Sequence, residues 1–144
     1  MIHPGFALMI MTVLLLSLPC CGKKGDPFLP QKGFDARVID LKADPQESFI
    51  LLGGDVLLPE NAGNRVTGSR VYIAQYPSES PPCEGCPIEY QSYRSFGPEV
   101  IQGKRFFCRI PDIERNQIYF FKVILLGAGD IQGSASNFVR VNLE

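Results

Sequence analysis

The chain has 144 residues, 45% of them apolar, with 14 Lys and Arg against 15 Asp and Glu. That length suits about one domain, and the near balance of charge offers no excess to draw it onto nucleic acid or an anionic surface. The one His is His3, and Trp is absent, so past the N-terminal stretch the commonest general base and metal ligand is missing.

In chain order, no Lys, Arg, Asp or Glu precedes Lys23, and Ala7–Leu18 is an apolar run. About a dozen residues cannot cross a hydrocarbon core of ~30 Å, which needs ~20. The run fits the apolar region of a secretory signal peptide; an N-terminal anchor or a buried strand is the alternative. Leu18-Pro19-Cys20-Cys21-Gly22 then resembles the lipobox of bacterial lipoproteins. Cleavage before Cys20 would place Pro19 at a position that should be small and flexible. Cys21 is therefore expected to be the first mature residue, after removal of a signal peptide spanning 1–20. The resemblance implies a diacylglyceryl group on its thiol and an acyl chain on its amine. Two or more such chains hold a protein stably at a membrane, at ~0.8 kcal/mol per buried CH₂. In enteric bacteria an Asp after the lipidated Cys retains lipoproteins in the inner membrane. Gly22 at that position therefore implies the outer membrane, facing the periplasm.

Residues 21–36 read as a tether. Cys21, Gly22, Lys24, Gly25 and Pro30 resemble the C-G-x-K-G start of a small lipoprotein family that includes a maturation factor of the lipopolysaccharide-assembly translocon. Asp26 and Pro27 depart from that family's Pro and Leu. The residues themselves favour a solvated linker, because Gly and Pro deny the segment a helix or a central strand. Its Lys residues can meet anionic head groups at ~1 kcal/mol each.

From Arg37 on, short apolar segments alternate with Gly, Pro, Asn and Asp. Strands are expected at Val38–Leu41, Phe49–Leu52, Val71–Tyr76, Phe106–Ile110, Tyr119–Leu126 and Phe138–Leu143. Six or seven strands with no sustained helical period predict an all-β antiparallel sandwich over 37–144. Three stretches, Gly63–Ala74, Ile113–Val123 and Gly133–Val141, resemble the B–C turn with strand C, the E–F corner, and strand G of a fibronectin type III domain. The resemblance makes Tyr119 the tyrosine-corner residue, its hydroxyl bonded back to upstream backbone, with Ile113 six positions before it. It departs in strand B, where that family's core Trp is absent, and at Ser69, where a Tyr is usual.

With Tyr119 inward, period-two alternation sends Phe121, Val123, Leu125, Val71, Ile73, Val139 and Val141 into the core. Tyr72, Ala74, Phe120, Lys122, Ile124, Phe138 and Arg140 then face outward. Strands C, F and G are neighbours in this fold, so Tyr72, Phe120, Ile124 and Phe138 are expected to form one exposed apolar patch. Such a patch marks a partner-binding surface, or is ordinary scattered exposure.

Of the five Cys, Cys108 shares the inward phase of Phe106 and Ile110. Cys83-Glu84-Gly85-Cys86 has three readings. A zinc half-site lacks further Cys or His ligands. A redox pair lacks the βαβ context that acidifies a thiol. A structural disulfide in an oxidising compartment needs nothing more, and is the expectation. No Gly-x-Ser-x-Gly elbow, Walker loop or Ser–His pairing is present. The chain is therefore expected not to be an enzyme and to need no metal, cofactor or small-molecule substrate. The leading function is a membrane-anchored, non-catalytic module that binds an envelope protein or aids envelope assembly. The alternative is a periplasmic thiol-redox protein using Cys83 and Cys86.

Overall fold

The computed structural model describes residues 34–58 and 66–144. The expected signal peptide, the lipidation site Cys21 and the tether motif Gly22, Lys24, Gly25 and Pro30 lie outside the described residues.

Nine strands follow one another: β1 (Arg37–Pro45), β2 (Phe49–Leu57), β3 (Gly68–Pro77), β4 (Ser92–Phe96), β5 (Ile101–Gln102), β6 (Arg105–Pro111), β7 (Gln117–Leu126), β8 (Gln132–Ala135) and β9 (Val139–Leu143). They form two antiparallel sheets. One has the order β1-β2-β6-β5; in the other β4-β3-β7-β8 are joined in that order and β9 also pairs with β7. This is the sandwich that the alternation predicts.

The two inner faces supply the core. In β6 the phase is strict, with Phe106, Cys108 and Ile110 buried between exposed Arg105, Phe107 and Arg109. Tyr119, Phe121, Val123 and Leu125 from β7 meet Val38, Ile50, Leu52 and Phe106 from the facing sheet. Full burial of each aliphatic or aromatic side chain contributes ~1.5–3 kcal/mol, so this single cluster dominates stability. Packing begins just ahead of β1, where Ala36 is buried and Phe34 lies against Gly127.

Two local devices fix the geometry. The Tyr119 hydroxyl accepts a hydrogen bond from the Glu114 amide at 2.8 Å, which forms the expected tyrosine corner. The second device was not legible in the pattern. The β1–β2 register shifts between Ile39 and Lys42, and Asp40 there takes a left-handed φ of 51°, a conformation Asp tolerates better than most residues. Gly54 sits under this bulge, where a Cβ would come 2.7 Å from Val38 Cγ1 and 3.0 Å from the Ile39 carbonyl oxygen. The bulge leaves the Leu41 backbone to be satisfied from elsewhere, and Asn137 supplies both bonds, 2.9 Å from the Leu41 amide and 3.0 Å to its carbonyl.

Three strands differ from expectation. β4 carries no apolar alternation of its own and forms by pairing Ser69–Ile73 of β3. β5 is a two-residue edge against β6. The expected strand Phe138–Leu143 starts at Val139, and a separate β8 pairs with the other end of β7. The break at 136–138 releases Asn137 to reach Leu41 and leaves Phe138 outside the ladder.

Candidate functional site

The outer face of the β4-β3-β7-β9 sheet is not the open apolar patch that alternation predicts. Phe120 is only 5% exposed and Ala74 is fully buried; with Ile118 they form a second small core. The cover is the 78–91 segment, whose Ile88 and Tyr90 pack on it with Tyr76 from β3. The Tyr76 hydroxyl accepts from the Glu89 amide at 3.1 Å and donates to the Glu89 carbonyl at 3.4 Å, which holds the segment down. Alternation says which way a side chain points, but not whether a loop from the same sheet lies over it. Phe120 is accordingly withdrawn from the exposed patch.

The other three residues fall apart in kind. Tyr72 is half-buried between Tyr93, with ring centroids 5.7 Å apart, and Tyr90, at 6.3 Å. Ile124 is half-buried opposite Arg70 and Ala135. Phe138 stands 60% exposed, its ring 6.2 Å from that of Phe120.

What the apolar pattern did not reveal is that cations interleave with these rings. The Lys122 ammonium lies 4.2 Å from the Tyr90 ring centre and 5.3 Å from that of Tyr72. The Arg70 guanidinium lies over Tyr93, and that of Arg140 over Phe120. Such contacts contribute ~0.5–1 kcal/mol at exposed sites. Burial pushes the Tyr90 hydroxyl above its ordinary pKa, and Tyr76 adds to the rise. Among the described residues the ion pairs are Arg94–Asp112 and Arg105–Asp55. Lys122 and Arg140 therefore face rings but no bonded carboxylate.

Cys83 and Cys86 are joined by a disulfide. The Cys86 amide donates to the Cys83 carbonyl at 3.1 Å, and Gly85 takes the positive φ of 79° that this tight turn requires. The pair sits in a turn rather than at a helix N-terminus, the position that acidifies a redox thiol. With Pro81, Pro82 and Pro87 it makes a stiff wall. Together with Phe120, Lys122, Phe138 and Arg140 this loop, including its Glu84, lines a groove of ≈ 860 Å³.

Cys108 is buried and free, and burial pushes its thiol pKa up to about 12. It is a core side chain and not a nucleophile. Among the described residues no group of three or more His, Cys, Asp or Glu could hold a metal ion.

The opposite sheet exposes Leu51 and Phe107 beside a smaller depression at Gly53. There Arg105 is already engaged by Asp55 at 3.8 Å and lies over Phe107, so that face has matched part of its own charge.

No family model matches the chain, and no curated protein matches it. Among solved structures it is similar to the third fibronectin III domain of the human KIAA0343 protein, in a solution structure. The match has 19% identity and a TM-score of 0.56, and covers 85% of this chain and 93% of that chain. A solved myokine also aligns, with 14% identity and a TM-score of 0.48 over 76% of this chain and 97% of that one. The first likeness establishes the fold, a fibronectin III-like β-sandwich, as the three sequence stretches imply.

Proposed function

We propose that this protein is a lipid-anchored, non-catalytic binding module of the bacterial envelope, held at the outer membrane through Cys21 and engaging an envelope protein through the groove beside Phe138. The fibronectin III-like fold is usually a non-catalytic binding module, which supports the coarser half of this reading. One observation supports the choice of the groove. A ring exposed to 60% stands beside cations that, among the described residues, have no bonded carboxylate, at a groove whose wall is stiffened in advance by three prolines and a disulfide. Preorganisation of this kind lowers the cost of ordering an interface on binding.

Lipid chains would confine the domain to the membrane and raise its local concentration near envelope partners. Gly22, Lys24, Gly25 and Pro30 would serve as a spacer whose Lys residues meet anionic head groups.

The test is cross-linking and co-purification from intact cells, with Cys21→Ala as the anchoring control and Phe138→Ser as the groove control. Partner recovery should fall with either substitution while the domain stays folded. Unchanged recovery with Phe138→Ser would rule out this groove. Separately, metabolic labelling with an alkyne fatty acid should mark the chain and fail with Cys21→Ala; labelling that persists would rule out the lipid anchor.

A further inference from the structure

The chemistry of the groove specifies more than the presence of a partner, and the nature of its occupant is inferred on the premise of the binding function just proposed. Arg140 on β9 pairs across the ladder with Phe120 of β7, and Lys122 lies two residues further along β7. Lys122 and Arg140 are thus near-diagonal neighbours, and such neighbours sit roughly 7–8 Å apart on a sheet face. An extended chain rising ~3.3 Å per residue repeats its side chains on one face at about the same interval. Carboxylates at alternate positions of an extended peptide would therefore match the spacing of the two strand positions that carry the cations.

The aromatic rings narrow the choice of occupant. Tyr72 and Tyr93 are tilted by 45°, and Tyr72 and Tyr90 meet edge to face at 81°. One cation lies by each of them, Lys122 by Tyr72 and Tyr90 and Arg70 by Tyr93. Phe138 differs: among the described residues no cation lies over its ring, and it stands beside the groove as an open apolar contact.

We propose that the groove takes an extended acidic segment of a partner protein, its alternate carboxylates meeting Lys122 and Arg140 and one large apolar side chain packing on Phe138. The disulfide loop is the fixed wall of the groove, and its Glu84 repels acidic side chains from that side and leaves them to the Lys122 and Arg140 side.

The purified full chain is titrated with a short synthetic peptide in which Asp alternates with Ser around a central Phe, followed by fluorescence anisotropy. A second peptide carries Lys in place of each Asp. The acidic peptide should bind, more weakly as salt rises, and the basic one should not. Lys122→Gln with Arg140→Gln should weaken binding on the order of tenfold, about 1.4 kcal/mol, while Lys122→Arg retains it. Phe138→Ser should weaken it comparably. Equal binding of the two peptides, or affinity unmoved by the double Gln variant, overturns the proposal.

A photo-cross-linking residue at position 138 in cells separates this from the underlying function. A foreign protein captured there while the acidic peptide fails to bind overturns the acidic segment alone. Capture of nothing overturns both, and capture of a second copy of this chain overturns the foreign partner.

Discussion

Asn137 and Leu41, far apart in the chain, are joined by two hydrogen bonds that cross from one sheet of the sandwich to the other. The side-chain oxygen accepts from the Leu41 amide and the side-chain nitrogen donates to the Leu41 carbonyl, at 2.9 and 3.0 Å. An amide is the one neutral side-chain group that presents both functions in this geometry. It replaces the ladder bonds that the β1 bulge removes.

Asn137→Ala should therefore leave two backbone groups of a nearly buried residue without partners and cost about 1–3 kcal/mol. Asn137→Asp keeps the acceptor but loses the donor, and should fall between wild type and Ala. Urea unfolding midpoints of the three proteins check the order. An Ala variant as stable as wild type would show that water replaces both bonds.

Cys108 predicts a pH dependence. Its thiol pKa rises from an ordinary 9.0 to about 12 through burial, offset in part by Arg94. The native state thus keeps a proton that the unfolded chain releases, so the contribution is fully present below pH 9.0 and is lost as pH rises toward about 12. Cys108→Ala should cost about 1–2 kcal/mol near neutrality through the small cavity it opens. It should also flatten the alkaline loss of stability. Parallel stability curves for the two proteins above pH 9.0 would refute the assignment. Tyr119 and Tyr90, both shifted upward by burial, act in the same direction in both proteins and cancel from the difference.

Ser69 is fully buried with its hydroxyl unpartnered among the described residues, at the position where the fibronectin type III resemblance implies a Tyr. An unsatisfied buried hydroxyl costs about 1–3 kcal/mol relative to a bonded one. Ser69→Ala should consequently be neutral or stabilising by about 1 kcal/mol, read as a raised thermal midpoint. A clear loss of stability would mean that the hydroxyl is bonded in solution.

The disulfide closes a very short loop and should add little global stability, about 2 kcal/mol or less. Its effect belongs to the groove. Cys83→Ser with Cys86→Ser should lower stability by no more than about 2 kcal/mol, yet weaken binding of the acidic peptide, because the wall is no longer fixed. A thiol titration of the denatured, non-reduced chain beginning at Arg37 should find one free thiol, from Cys108; three would disprove the bond.

The sandwich, the tyrosine corner and the inward phase of Cys108 were legible because each rests on local periodicity or a short motif. Period-two alternation in β6 and β7 reports a two-faced environment directly, and Tyr119 with Ile113 carries its own spacing. The strands that escaped, β4, β5 and β8, are pairing partners whose residues have little pattern of their own. The site was half legible. Phe138 and Tyr72 stand on the predicted face, but Phe120 disappears under Ile88 and Tyr90 because loop coverage is a property of tertiary structure. The cations were visible as residues, while their seats over Tyr72, Tyr90 and Phe120 depend on a register that no single strand encodes.

The register also gives the domain two poles. β1 starts with Arg37 beside Leu57 and β9 finishes with Leu143 beside Gln117, so the two terminal strands run in the same direction and the chain enters at one pole and leaves at the other. Tension applied between those strands pulls along the ladders and loads their hydrogen bonds together instead of peeling them one by one. The Asn137–Leu41 bridge ties β1 to the segment that leads into β9. Stretched between a fixed surface and a bound partner, the domain should yield in one abrupt rupture, at a force that Asn137→Ala lowers in single-molecule pulling. A sequence of small steps would contradict that mechanics.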